Sequence, residues 1–504
     1  MKVLVTGGTG VVGRAAVDHL VAGGHTVRLL SRHARSDAER WKDPVDAFEG
    51  DVTDAAGIAG AADGCDVVLH VAGIVAEHPP EVTFQDVNVE GTRNLVREAM
   101  RAGVRKFIYV SSLGADRGES GYHRSKRAAE DVVRQEFTGD WLVVRPGNVY
   151  GPGDEVISLA LKLVRTLPAI PVVGGGDQPF QPVWAGDLGQ ALTRAVEMED
   201  GWRRDLEIAG TETTSMNDLL DRLEKITDRH PVRVPVPEFL ARTGAQIAEK
   251  LGLSIPVTDD QLVMLAEENV IAPGGVNALT DVFHVQPLPL FEGLVKLSDA
   301  VPEKMPSDGT GPMRRERFWA DIRGSTMTPE EVLLLVRDHF HKLPDERLLE
   351  VAPEPAPPQR MEEGATLTLS VPARGHVQVR VQEVSPRSVT SVTLEGHFFA
   401  GVVRFLTDEP GPGVVRFEVR AYVRGADLPH WVAMRTIGKV MQAATWASVV
   451  EEVVRRSGGE APEGVQSSDE PLDEADARDV ERWTEDLVKT RQRQASPEAG
   501  DTPE

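Results

Sequence analysis

Near the N-terminus an apolar strand pattern, Val3-Leu4-Val5-Thr6, runs directly into Gly7-Gly8-Thr9-Gly10-Val11-Val12-Gly13 and on into a helical pattern. The glycines let the backbone turn tightly and approach a ligand, and the helix behind them presents unpaired N–H groups to an anion. Gly8, Gly10 and Gly13 fit the G-x-G-x-x-G spacing; Gly7, Gly10 and Gly13 fit the wider G-x-x-G-x-x-G spacing. Placed between strand and helix, these spacings mark the pyrophosphate turn of a dinucleotide-binding βαβ unit.

The same grammar continues. Val27 to Leu30, Val67 to Val71, Phe107 to Val110 and Leu142 to Val144 are near-continuous apolar runs separated by helical patterns. Such strands are buried on both faces, so residues 2 to about 173 are expected to form a doubly wound parallel α/β sheet. From about 201 to 298 the pattern is mixed and broken by prolines, with helices at Ser215 to Asp228 and near Thr258 to Glu268, as suits a substrate lobe.

Tyr122-x-x-x-Lys126 places a phenol and an ammonium one helical turn apart on one face. A free tyrosine titrates near pH 10, and a nearby positive charge in a partly dry site favours its phenolate. Acid–base chemistry beside a nicotinamide follows. The second strand ends Leu30-Ser31-Arg32-His33, without a carboxylate for a ribose hydroxyl and with a guanidinium that matches a phosphate. NADP(H) is therefore favoured over NAD(H), the alternative being a solvated Arg32.

With 55 Lys and Arg against 79 Asp and Glu, the net charge is −24, which argues against nucleic acid as a partner. Cys65 is the single cysteine, so no intramolecular disulfide can form. No run of about 18 apolar residues suggests a transmembrane segment, and no signal-type stretch precedes Lys2. A cytoplasmic protein is expected. His339 and His341 lie two apart and face different ways on a helix, so no metal site is expected. Asp187 reads as a helix N-cap, and His70 and His123 read as packed side chains rather than catalytic ones.

Residues 299 to 312 lack hydrophobic period and read as a linker. Beyond it, Phe318 to Ile322 reads as a strand, and Thr328-Pro329-Glu330-Glu331 supplies an N-cap, an N1 proline and a capping-box glutamate for a helix to about His341. Alternating strands follow at 365–371, 377–384, 388–394, 401–406 and 414–423, then a helix from about Pro429 to Arg456, with Trp431, Met434, Ile437, Val440 and Met441 at core spacing. This is an α+β unit over 313–457. Residues 458–504, rich in Glu, Asp, Pro, Ser and Gly, are expected to be disordered, with a charged helix near 473–493 as the exception.

Several ordered motifs resemble the extended or atypical branch of the short-chain dehydrogenase/reductase superfamily. Gly50-Asp51-Val52-Thr53-Asp54 resembles the adenine contact, through Asp51 and Val52. Val71-Ala72-Gly73 resembles the Asn-Ala-Ala-Gly turn, with the asparagine replaced by His70 or Val71. Asn88-Val89-Glu90-Gly91-Thr92 resembles the helix that supports the active site. Phe107 to Ser112, through Val110 and Ser111, resembles the strand leading to the catalytic serine, taken as Ser112. Arg145-Pro146-Gly147-Asn148-Val149-Tyr150-Gly151 resembles the loop beside the nicotinamide. Ser111 to Ala115, Tyr122 to Lys126, Gln181-Pro182-Val183-Trp184 and, later, Thr258 to Gln261 are similar to the group containing the nucleotide-binding accessory subunit of respiratory complex I.

The resemblance implies Ser112, Tyr122 and Lys126 as the catalytic set of an oxidoreductase acting on a carbonyl or alcohol of a small apolar or lipid-like molecule. Because some members of the group hold a nucleotide without known turnover, a non-catalytic NADP(H)-binding structural or sensor protein is the second reading. A sugar-nucleotide epimerase or dehydratase is the third, weakened because Tyr122 follows Ser112 by only ten positions. The C-terminal unit resembles the helix-grip (START-like, SRPBCC) superfamily, which implies either an apolar ligand between sheet and helix or a solid core used for association with a protein partner.

Overall fold

The computed structural model describes residues 1–41, 45–237, 268–351, 354, 360–372, 375–427 and 439–495. The expected helix near Thr258, the Thr258 to Gln261 motif and the start of the helix expected from Pro429, with Trp431, Met434 and Ile437, lie outside them, as do the side chains of Val440 and Met441.

The N-terminal strands are β1 (Lys2–Thr6), β2 (Thr26–Ser31), β3 (Asp46–Glu49), β4 (Val67–His70), β5 (Lys106–Val110), β6 (Asp140–Pro146), β7 (Val149–Tyr150), β8 (Ala169–Val173), β9 (Val183–Trp184), β10 (Arg204–Ile208) and β11 (Val232–Val236). Between them run α1 (Val11–Ala22), α2 (Ala34–Ala38), α3 (Gly91–Arg101), α4 (Gly121–Glu136), α5 (Ile157–Thr166), α6 (Ala185–Glu197) and α7 (Met216–Thr227). Seven strands form one parallel sheet in the order β10-β6-β5-β4-β1-β2-β3.

Alternation along each strand feeds two cores. Val3 and Val5 meet Val17 and Leu20 of α1 and Leu188 of α6 on one side; Leu4 meets Leu95 of α3 and Val133 of α4 on the other. The strand order reverses between β1 and β4, and the crevice past the carboxyl ends of strands at such a reversal is where ligands bind in open α/β sheets. Asp187 is not an N-cap: Trp184 occupies that position on α6, and the Asp187 carboxylate accepts from the Leu288 N–H at 2.8 Å.

An eight-stranded antiparallel sheet follows, made of β12 (Thr310–Arg323), β13 (Glu350–Val351), β14 (Thr366–Val371), β15 (Gly375–Val384), β16 (Ser388–Thr393), β17 (Phe399–Gly411), β18 (Val414–Gly425) and β19 (Gln466–Pro471). Its order is β13-β14-β15-β16-β17-β18-β12-β19. The helix Pro329–His339 starts at the expected capping box, Thr328 accepting from the Glu331 N–H and Glu331 from the Thr328 N–H. It and the helix Lys439–Arg456 cover one sheet face, burying Val332, Val336, Trp446 and Val450 against Val379, Val381, Phe405 and Phe417.

The other face of β15 is polar and buried. Gln378 accepts from Arg165 of α5 at 2.9 Å, and Arg165 also grips Glu354 through two 2.9 Å bonds. Arg380 reaches Glu303 at 3.0 Å and the Asp299 carbonyl at 2.7 Å. The approach is close, since a Cβ on Gly375 would sit 2.3 Å from the Arg165 carbonyl oxygen.

Two expectations are corrected here. Residues 299–312 are a fitted strap rather than a loose linker, with Lys304 donating to the Thr393 carbonyl and Glu303 buried against Arg380 and Arg491. Residues 458–495 are folded, including the charged helix expected near 473–493, which is present as Glu474–Ala495. β19 adds to β12, and the helix Glu474–Ala495 sets Val480, Trp483 and Val488 against Val392, Val402 and Tyr422. Composition misled because few apolar residues suffice when charged ones also find partners: Arg424 pairs with Glu481 and Arg491 with Gln382.

Candidate active site

The glycine loop is a cradle that side chains cannot enter. A Cβ on Gly13 would lie 2.1 Å from the Gly7 carbonyl oxygen, and one on Gly8 would lie 2.4 Å from Leu29. Gly7 has φ of 68° and touches the neighbouring turn, where an added Cβ would meet the Ala72 nitrogen at 2.7 Å. Gly10, with nothing nearer than 3.6 Å to an added Cβ, is the one glycine of the loop that close packing does not demand. No side chain caps α1 and no acidic residue stands in its first turn, so the N–H groups at Val11, Val12 and Gly13 face no competing anion there. Thr9 and Gly10 are exposed at the rim. These features fit a dinucleotide pyrophosphate.

At the β2 end, Arg32 is exposed, while Ser31 donates to Asp37 at 2.6 Å and accepts from the His33 N–H. A carboxylate thus stands beside β2 after all, supplied by α2. Asp51 is bonded to the Thr53 N–H and hydroxyl, and Val52 packs against Gly91.

Tyr122, Ser112 and Lys126 converge past β4 and β5, but unequally. The Ser112 hydroxyl, which donates to the Leu113 carbonyl at 3.4 Å, lies close enough to the Tyr122 phenol to lower its pKa. Burial pushes that phenol up to about 12, and the neighbouring Ser112 hydroxyl pulls only partly back. The Lys126 ammonium donates to the Val110 carbonyl at 2.8 Å and lies 4.8 Å over the Tyr109 ring. Burial pulls Lys126 down to about 8, against the opposing charge of Glu130. The turn of Val71, Ala72 and Gly73 lies against this group, a Cβ on Gly73 falling 3.3 Å from the Lys126 nitrogen.

Two residues expected to touch a cofactor are committed elsewhere. The Ser111 hydroxyl donates to Glu130 at 2.6 Å. Asn88, 1% exposed, bonds Ile74 through both ends of its amide and Ser125 through its nitrogen, which makes it a support.

The family described as NAD dependent epimerase/dehydratase matches residues 3–209. A sterol demethylase protein B of Methylococcus capsulatus is 30% identical over 50% of this chain and 82% of its own. The chain belongs to the NAD dependent epimerase/dehydratase family. This epimerase/dehydratase chain is also 38% identical to a ceramide reductase of Caulobacter vibrioides, over 34% of this chain and 53% of that one. It thus spans about half of that relative's length. A mouse mitochondrial NADH dehydrogenase 1 alpha subcomplex subunit 9 is 28% identical over 57% and 76% of the two chains.

Sequence reasoning missed two parts of this family member's site. Glu130, fully buried, receives Ser111, two bonds from Arg145 and one from Arg134. Burial pushes its carboxyl up, but those donors outweigh it and hold it below the usual range. Its spacing, four residues after Lys126 on the same helix face, was the available signal.

Asn269 comes from the far lobe and carried no local signal. Its amide nitrogen donates to the Leu113 carbonyl at 2.9 Å and its oxygen accepts from the Asn148 N–H at 3.0 Å. It joins the turn after Ser112 to the loop of Pro146, Gly147, Asn148 and Val149. Gly147 is pressed into the same junction, an added Cβ lying 2.7 Å from the Gln181 carbonyl oxygen. Among the described residues there is no cluster able to hold a metal ion, and no helix is long and apolar enough to cross a membrane.

Proposed function

We propose that the chain is an NADP(H)-dependent oxidoreductase that interconverts a carbonyl and an alcohol on a small apolar or lipid-like substrate. The observation that carries this reading is the burial of Tyr122 and Lys126 one helical turn apart on α4, with the Ser112 hydroxyl close enough to the phenol to lower its pKa. A bound nicotinamide would supply the hydride chemistry. Ser112 orients the substrate oxygen, Tyr122 gives or takes the alcohol proton there, and Lys126 holds the ribose once it leaves the Val110 carbonyl. The names of two relatives, a ceramide reductase and a sterol demethylase protein, support a lipid-like substrate.

Exposed Arg32 supports NADP(H), and Asp37 beside Ser31 supports the NAD(H) alternative. Residues 1–298 form the reductase unit, 299–312 the connection, and 313–457 a helix-grip domain holding an apolar ligand for the same site, in a cytoplasmic protein. That last reading is supported by β12 lying next to β18 with a long helix across the apolar sheet face.

The test is Tyr122→Phe, assayed by NADPH consumption with oxo-sphingolipid and oxo-sterol probes. Turnover by the parent should fall roughly 10²–10⁴-fold while NADPH affinity persists. Unchanged turnover rejects the catalytic role. A parent that binds NADPH and turns over neither probe nor other carbonyls favours the non-catalytic reading, which the high phenol pKa also suits.

A further inference from the structure

His70, the last residue of β4, is buried to 0% exposure with Thr6 and Thr92. Its Nδ1 lies 2.7 Å from the Thr6 hydroxyl and its Nε2 lies 3.0 Å from the Thr92 hydroxyl. The proton positions follow from the outer partners. The Thr92 hydroxyl donates to the Asn88 carbonyl at 2.6 Å, so the proton between His70 and Thr92 sits on Nε2. The Thr6 hydroxyl accepts from the Ala72 N–H at 3.2 Å and has its own proton for Nδ1. Both ends demand the same neutral tautomer. Burial, and then the Lys126 charge, hold the imidazole down to about 3, in agreement.

The chain of bonds does not stop at Asn88. The Asn88 amide donates to Ser125 at 2.9 Å, and the Ser125 hydroxyl donates to the Tyr122 carbonyl at 2.7 Å. At the other end, Thr6 precedes Gly7 and Ala72 presses on it, so both walls of the glycine cradle belong to the network. Hydrogen bonds therefore link the cradle to the backbone that carries the phenol, passing at Asn88 from its main-chain carbonyl to its side-chain amide.

We propose that His70 is a positioning residue, locked as the Nε2–H tautomer, that transmits dinucleotide occupancy of the glycine loop to Asn88 and the Tyr122 turn. The proposal rests on the cofactor reading above. An amide can also present an acceptor to Thr6 and a donor to Thr92, whereas an apolar side chain leaves both hydroxyls without the middle link.

In the full chain with ¹⁵N-labelled histidine, the His70 signal, assigned among those of the thirteen histidines by its loss in His70→Gln, would be that of a neutral Nε2–H tautomer, and it would shift when NADPH is added. NADPH affinity, by fluorescence titration, would fall roughly tenfold in His70→Leu and be largely rescued in His70→Gln. Thr6→Val combined with His70→Leu would be no worse than His70→Leu alone, because both break one series. An Nδ1–H tautomer or an imidazolium at pH 7, additive losses, or parent-like binding by His70→Leu would overturn the proposal. Should His70→Leu fail to fold, Thr92→Val replaces it in the titration, with the spectrum of the parent unaffected by the choice. A parent that binds neither NADPH nor NADH overturns the cofactor reading itself; binding without movement of the His70 resonance overturns only the transmission.

Discussion

Lys126 donates to the Val110 carbonyl at 2.8 Å, one helical turn from a phenol whose pKa it was expected to lower. The pair on one helix face is real, but the ammonium is drawn to the carbonyl at the end of β5, where burial makes an unpaired charge costly.

A pH signature follows. Burial holds Lys126 near 8, below its ordinary 10.5, so in the free protein its charge is present below about pH 8 and lost above it. An anionic dinucleotide favours the charged form. NADPH affinity should therefore weaken as pH rises through about 8, and Lys126→Met should bind weakly throughout without that step. Fluorescence titration from pH 6 to 9 reads both, and a step retained in the variant refutes the assignment.

Glu130 answers for stability. Glu130→Gln leaves Arg145 and Arg134 facing an amide in a buried site, and breaking such a cluster costs about 3–5 kcal/mol. Urea unfolding should show a loss of that order. A loss below about 1 kcal/mol would mean that the arginines are served as well by Asp116 and Asp205, which also lie within reach of them.

Asn269→Asp tests the junction between lobes. The new carboxylate keeps an acceptor for the Asn148 N–H but turns an oxygen toward the Leu113 carbonyl, at about 1–3 kcal/mol. Turnover should drop more than NADPH affinity, because the displaced turn carries Ser112. Equal losses in both would assign Asn269 to the cofactor alone.

The C-terminal helix is a structural element of the sheet it covers. Trp483 stands between Val392, Val402 and the Arg404 guanidinium, 5.1 Å over its ring. Trp483→Ala should lower stability by about 2 kcal/mol for a partly buried ring. Thermal unfolding unchanged by this substitution would return the segment to the status of a tail.

Local sequence was enough wherever function or fold needed a particular backbone. The glycine spacing, the five apolar runs of the parallel sheet, the Thr328 capping box and the Tyr122–Lys126 spacing all depend on residues within a few positions of one another, and each lies where its pattern indicated. The phenol's environment, the identity of the lysine's partner, the Glu130 cluster and the Asn269 bridge join residues many positions apart. So does the folded C-terminal segment, whose charges are partnered by Glu303, Gln382 and Arg424. Periodicity records which face of an element is apolar, but a buried charge is stable only beside partners that the fold brings from elsewhere in the chain, and only the tertiary structure names them.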